Sequence, residues 1–446
     1  MPVPTPRLLL LALLLGLPLA TFSTLLPFLT LPCLAMLGLL GVLILFDALK
    51  SRDLFSGLSI HLPTLNRLAQ DIPHDLPITL LNQNPHPAQL QLALDWPETF
   101  STTQTSLLLH LPPNGTTTQV IWSFTAHQRG RYFVENFHLQ RHSAWGFWSL
   151  TSTLPVQSEF RVYPSLQPER MELRSLLTQQ YSHGLRPRRL MGQGREFEKL
   201  REYTPGDSFD SIHWKATARR RHPITRVYQI ERTQEIYVLL DCSRLTQRTI
   251  QSPTLNRSEP LLEKLIRSSL LLGLAAAQQG DRYGLLLFHQ QIEKFIRASS
   301  GRHHHNVLRE ALYEAKPHLV NPDYEEMAVC VQSHLTKRSL LILLTSLDDP
   351  VQSESLLRSL RVLSQKHLIL VGLLQSPGIH PLFHGNPVQS LNDVYLHLAG
   401  HLLWHDLAQR EQSLRHLGIR TLSVEPATMT RRLIDQYQQI KQRQLL

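Results

Sequence analysis

Two stretches of this 446-residue chain carry side chains that can do chemistry. The first is "EIYVLLDCS", an apolar run ending in Asp241-Cys242-Ser243, which sets a carboxylate and a hydroxyl two residues apart where a buried strand ends. Open α/β sheets bind ligands at the carboxyl ends of their strands, so these two oxygen donors stand in the right place. Taken alone, the same pair also serves to cap and turn a strand-to-helix loop. The second is "REYTPGDSFDSIHWKATARRR", Arg201 to Arg221. Here Pro205-Gly206-Asp207 makes a tight turn, with Pro fixing φ and Gly free to take φ > 0. Trp214 then offers a large apolar anchor among cations, a composition suited to recognition when exposed and to domain packing when buried. Between Gly184 and Arg232 there are 12 basic and 6 acidic residues, which accounts for +6 of the chain's formal +10. Such a charge favours anionic partners, whether nucleic acid, an acidic protein or a membrane face.

Other constellations point away from catalysis. His303-His304-His305 are adjacent, so their imidazoles diverge on a helix and cannot share one metal. Gly192-Gln193-Gly194 has neither a preceding strand nor a phosphate-binding Lys. Cys33, Cys242 and Cys330 are too few and too scattered for a disulfide framework or a zinc site. No Ser-His-Asp order and no Cys-His pair has supporting local context, so no enzyme is expected.

The elements that position these residues fall into three parts. Leu8 to Phe46 contains no charged residue over 39 positions, room for two spans of about 20 residues each. The expected spans are 8–26 and 30–47, broken at "LPFLTLP" between Pro27 and Pro32. Arg7 precedes the first, Lys50 and Arg52 follow the second, and no basic residue lies between, which places both ends in the cytoplasm with the bulk of the chain. The apolar run is far too long for a cleaved signal peptide, and the main alternative to the hairpin is a single span with the body exported. Residues 55–165 alternate apolar and polar positions between Asn-Pro, His-Pro and Trp-Pro breaks, which predicts six or seven strands in a small antiparallel β-sandwich. In it, Tyr132, Val134 and Phe137 feed the core and Trp145 and Trp148 pack in the core or at an edge. Past 233, continuously apolar strands alternate with amphipathic helices, which predicts a doubly wound, mostly parallel α/β domain over 233–446. Residues 166–232, the basic signature, join the two.

The signature resembles that of the bacterial domain-of-unknown-function 58 family. Glu196, Phe197, Leu200, Arg201, Glu202, Tyr203, Pro205, Gly206, Asp207, Ile212, Trp214, Ala218 and Arg219 fall on the family's pattern, "RGRYFVENFHLQRHSAWGFW" resembles its β-domain ending and "LIDQYQQIKQR" its terminal helix. Two positions depart: His213 and Ser143 stand where the family usually has Asp. The resemblance implies a von Willebrand factor A-like C-terminal domain. Domains of that type often hold a divalent cation through Asp-x-Ser-x-Ser, a Thr and a later Asp. Asp241 and Ser243 match, but Leu245 has no oxygen to offer, Ser346 stands where the Asp is expected, and Asp348 and Asp349 lie two and three residues on. No cofactor is therefore expected, the Mg²⁺ motif being degenerate.

The expectation for function is a non-enzymatic adaptor, held in the inner membrane by residues 8–47, whose signature residues Arg201, Glu202, Tyr203, Pro205, Gly206, Asp207, Trp214 and Arg219 engage a protein partner. The resemblance implies a MoxR-type AAA+ ATPase as that partner, in assembly or maturation of the cell envelope. Two alternatives are a nucleic-acid-binding protein using the basic segment 184–232 and a divalent-metal ligand site at Asp241. The first is the weaker, because no recognition helix or interleaved stacking aromatics accompany the charge.

Overall fold

A computed structural model describes residues 2–25, 30–51, 55–84, 87–113, 115–166, 196–205, 207–229, 234–252, 257–346, 349–374, 379, 381 and 390–443. The chain divides into two units, Met1–Ser165 and Leu166–Leu446.

In the first unit, β1 (Pro2–Pro4) leads into α1 (Pro6–Leu11), a π-helical turn over Ala12–Gly16 and α2 (Leu17–Leu25), followed by α3 (Thr30–Lys50). The helix begins two residues before the predicted span because Pro6 sits in the first turn, where a missing N–H costs nothing. Pro18 is inside the helical run and has no N–H to return to the turn before it, so the hydrogen-bond ladder widens just there. Pro32, expected to mark a break, instead occupies the first turn of α3, where it is tolerated for the same reason; Pro27 lies outside the described residues. At 21 residues and mean hydropathy 2.2, α3 is long and apolar enough to cross a bilayer, whereas the apolar part of the helix before it, Pro6–Thr21, is shorter.

A β-rich part follows: β2 (Leu58–His61), β3 (Leu65–Ala69), β4 (Pro73–Asn82), β5 (Ala88–Leu94), β6 (Phe100–Thr102), β7 (Leu107–Leu111), β8 (Thr116–Ala126), β9 (Gly130–His142) and β10 (Trp148–Tyr163). One sheet runs β1-β10-β9-β5-β7 with β3 beside β10, the other β2-β4-β8-β6. Alternate residues of both, among them Ile78, Leu92, Trp122, Phe137 and Phe160, meet in one buried cluster. There are more strands than predicted, because residues 51–72, which look mixed in sequence, carry β2 and β3. Nor are all pairs antiparallel, since β3 runs parallel to β10.

The loop between β9 and β10 ties this part to the helices. Ser143 Oγ donates to Asp47 Oδ2 at 2.6 Å, the Trp145 amide donates to Asp47 Oδ1 at 3.1 Å, and the Trp148 indole N–H donates to the Ile44 carbonyl at 3.1 Å. Thr5, just before α1, donates through its amide to the Phe147 carbonyl at 3.0 Å and through its hydroxyl to the Gly146 carbonyl at 2.6 Å. One loop thus holds the outer ends of the whole helical segment. An aspartate at 143 would face the Asp47 carboxylate; the serine found there donates to it instead.

In the second unit, β11 (Glu196–Glu202), α4 (Trp214–Arg220) and β12 (Ile224–Gln229) form the signature, with β11 and β12 paired antiparallel. Then come β13 (Glu235–Asp241), a ribbon of β14 (Thr249–Ser252) and β15 (Arg257–Pro260), α5 (Leu261–Gln278), β16 (Arg282–Phe288), β17 (Ile292–Ser299), α6 (Arg302–Glu314), α7 (Tyr324–His334), β18 (Leu340–Thr345), α8 (Pro350–Ser364), β19 (Leu368–Leu374), α9 (Leu391–His416), β20 (Arg420–Val424) and α10 (Met429–Gln442). The sheet order is β17-β16-β13-β18-β19-β20, parallel except for the edge strand β17. Val238 and Leu240 face one apolar cluster and Tyr237 and Leu239 another, so β13 is covered on both sides. Strand order reverses at β13, between β16 and β18, and the crevice such a reversal opens lies at the carboxyl end, where Asp241 sits.

Candidate functional site

The signature is braced by one carboxylate. Asp207 Oδ1 accepts from Arg201 Nη2 at 2.6 Å; its Oδ2 accepts from the Thr204 amide at 3.1 Å, the Thr204 hydroxyl at 3.2 Å and the Thr225 hydroxyl at 3.4 Å. Arg201 also donates to the Thr204 hydroxyl. The Thr204 amide, with Arg201 beside it, holds the Asp207 carboxyl below its ordinary range. Tyr203 donates its amide to Pro223 at 3.0 Å and sets its ring against Phe209 at 6.1 Å, while Glu202 faces His222 at 3.3 Å. Pro205 is exposed in the turn; Gly206 lies outside the described residues.

Out of this frame project two aromatics, Phe209 at 74% exposure and Trp214 at 69%. Trp214 opens α4, whose N-terminus is capped by His213: its Nδ1 accepts the Ala216 amide at 3.1 Å. An imidazole nitrogen here does the work of a capping carboxylate. Lys215, Arg219, Arg220 and Arg221, on and just after the same helix, are exposed. Arg186, Arg188, Arg189 and Arg195 of the basic segment lie outside the described residues.

At the sheet's carboxyl end, Asp241 is fully buried. Its Oδ1 accepts the Ser243 amide at 2.8 Å and its Oδ2 the Thr345 hydroxyl at 2.6 Å, and Tyr324 OH meets the same hydroxyl at 3.1 Å. Burial pushes the Asp241 carboxyl up, against the pull of these hydrogen bonds. Thr345 was not assigned a role from sequence; the register sets Leu240 opposite Leu344, so Thr345 ends β18 level with Asp241. Ser243 Oγ caps the next turn by accepting the Leu245 amide at 3.3 Å, and Leu245 is buried.

A divalent hard cation needs an oxygen octahedron, and Asp241, Ser243 and Thr345 bond to one another or to backbone while Leu245 contributes none. The residues present therefore do not complete such a site. Nor does Asp349 complete it: Oδ1 caps α8 through the Val351 amide at 3.0 Å, and Oδ2 takes Arg244 Nη2 at 2.6 Å. Asp348 lies outside the described residues. Asp349→Ala removes the cap and this half-exposed ion pair, and should loosen α8 by about 1 kcal/mol, read as faster amide exchange in the first turn of that helix with β13 unaffected.

Two further groups escaped sequence reading because their members are far apart in the chain. Asp71 Oδ1, His127 Nδ1, His127 Nε2 and Ser101 Oγ line up in a relay, with contacts of 3.0 and 2.7 Å. It joins the ends of β3, β8 and β6. Ser101 is open to solvent, so nothing encloses a reacting group there, as a nucleophilic serine requires. The second group is His289, Glu293 and His318, whose ligand atoms all lie within 4.8 Å of one another.

Comparison with known proteins finds one family match. Residues 199–377 match the family described as "Protein of unknown function DUF58". No curated protein matches. Among solved structures, conserved hypothetical protein BatB from Bacteroides thetaiotaomicron is 14% identical, covering 47% of this chain and 99% of its own, with TM-score 0.31. An aerotolerance-related membrane protein from Bacteroides fragilis is also 14% identical, over 46% and 97%, with TM-score 0.29. The SpRpn10 VWA domain is 9% identical, over 46% and 95%, with TM-score 0.29. At these values no activity or residue role passes from them to this chain.

Proposed function

We propose that this chain, whose residues 199–377 carry the DUF58 pattern, is a non-catalytic adaptor anchored in the inner membrane, presenting its signature on the cytoplasmic side to a protein partner, a MoxR-type AAA+ ATPase. The observation that carries the reading is Trp214: a 69%-exposed indole at the start of α4, in a segment that also exposes Lys215, Arg219, Arg220 and Arg221. A large aromatic left in water in a segment rich in arginine is the usual make-up of a binding hot spot, and its exposure supports that role over a buried one.

Support for the anchor comes from the first unit. Leu31, Leu34, Leu39, Val42 and Leu45 of α3 are exposed, a surface suited to acyl chains. Because the β9–β10 loop grips both Thr5 and Asp47, the segment 8–47 begins and ends on the same face of the β-rich part. That arrangement supports two crossings within the segment. The test is a pair of reporters, active only in the cytoplasm or only outside it, fused at the carboxyl end: cytoplasmic activity supports the proposal, and activity outside rejects it.

A further inference from the structure

From the geometry at the open end of the α/β sheet we infer a metal site that is independent of the adaptor reading: His289, Glu293 and His318 bind one Zn²⁺-class divalent ion and leave a coordination position open. This departs from the expectation of no cofactor. It also lies apart from the degenerate Asp241 motif, on the β16 side of β13.

The ligand set is chemically apt. Two imidazoles and one carboxylate are donors for borderline first-row ions, and three protein ligands with a vacant fourth position are the pattern of zinc sites that take an exogenous ligand. An ion bonded at about 2.0–2.1 Å in a tetrahedron sets its donors ~3.3 Å apart. The present limit of 4.8 Å needs closure of about 1.5 Å at most, and Glu293, exposed near the start of an edge strand, can supply much of it.

The two histidines are held for the task. His289 follows β16 directly, and a tight turn, with the His289 amide donating to the Gln291 carbonyl at 3.0 Å, brings the chain back so that Glu293 rises four residues later on β17. His318 comes from the loop between α6 and α7, and that loop is pinned to the sheet at several points. The His318 amide donates to the Cys242 carbonyl at 2.7 Å, the Arg244 amide to Val320 at 3.0 Å and the Asp323 amide to the His289 carbonyl at 2.9 Å. The two rings stand 4.4 Å apart, centroid to centroid. Backbone preorganisation of this kind leaves the ion only side chains to order. One contact must yield: the Gln291 amide donates to His289 Nδ1 at 3.2 Å, a long bond at an exposed turn, and it turns to water if Nδ1 takes the ion.

A groove of about 690 Å³ has Gln290, Leu319, Asn321 and Val351 in its lining. Gln290 and Leu319 are the chain neighbours of the two histidines, so a surface on which an external ligand can rest lies one residue from each of them. With Glu293 ionised and both imidazoles neutral, a bound divalent ion leaves the centre at +1, which selects an oxyanion such as a carboxylate.

The experiment uses the full chain, purified in mild detergent without a polyhistidine tag and stripped of metal. Zn²⁺ is titrated by calorimetry, and Co²⁺ replaces it for visible absorption. The expected result is one ion per chain, with the intense d–d bands of four-coordinate Co²⁺ that shift when acetate is added. H289A and H318A should each weaken binding by roughly 10- to 100-fold or more, E293Q should weaken it without touching either loop, and H303A should leave it unchanged. Metal-free thermal unfolding, the same in E293Q as in the parent chain, keeps the comparison fair should a histidine variant fold poorly. No binding by the parent chain, or binding that survives the H289A/H318A double variant, overturns the assignment.

Discussion

Trp214→Ala is expected to weaken capture of the proposed ATPase partner by about 2–4 kcal/mol, roughly 30- to 700-fold in Kd, while leaving the melting behaviour of the chain unchanged. The two halves of that result rest on one number, the indole's 69% exposure. Truncating a side chain that already lies in water removes little folding energy, whereas truncating the apolar centre of a docking surface leaves a hole in the complex. Asp207→Ala provides the contrast. It releases Arg201, Thr204 and Thr225 together, so the turn loses its brace and amide exchange in β11 and β12 should quicken as binding falls. Surface plasmon resonance against the immobilised ATPase, paired with hydrogen exchange, separates the two. If Trp214→Ala binds as the parent does, the signature is a structural buckle and the hot-spot reading fails.

How much of this was legible from residue order depends on the distance over which the residues act. The doubly wound sheet could be read because its central strands are buried on both faces and so are almost continuously apolar, as in "YVLLD" and "LLILLT". The signature was legible as a turn with a tryptophan because Pro, Gly and Asp constrain their own backbone. Its exposure was not: nothing local distinguishes an indole at a domain joint from one in water. Thr345 could have been found, as the last residue of an apolar run that must lie level with "LLD", had the register been assumed. Strands β2 and β3 were missed because their apolar positions, such as Leu58, Ile60 and Leu68, are sparse and separated by polar residues. The clasp between Asp47 and Ser143 and the triad His289, Glu293 and His318 are long-range, and single-sequence periodicity carries no information about them.

Asp241 offers the sharpest test of whether the sheet's carboxyl end is a relic or a working site. Its carboxyl is buried and raised above the ordinary carboxylate range by that burial. A raised folded-state value means the folded chain holds the proton more tightly than the unfolded one. The associated stability is therefore complete at low pH and is lost as pH rises from the ordinary carboxylate value through the raised one. Asp241→Asn mimics the protonated form. Its amide oxygen can accept the Ser243 amide in place of Oδ1, and its NH₂ can donate to the Thr345 hydroxyl, which is free to turn its own proton toward Tyr324. The asparagine variant should thus match or exceed the parent's stability at neutral pH and lose part of its pH dependence. Asp241→Ala should cost about 3 kcal/mol, because it strands a buried N–H and a buried hydroxyl and opens a cavity. Hydrogen exchange of the β13 and β18 amides, followed across pH for the full chain, reads all three. Destabilisation of the asparagine variant as severe as the alanine one, relieved by added Mg²⁺ only in the parent, would mean that the carboxylate is kept charged for a cation and that the degenerate motif still functions.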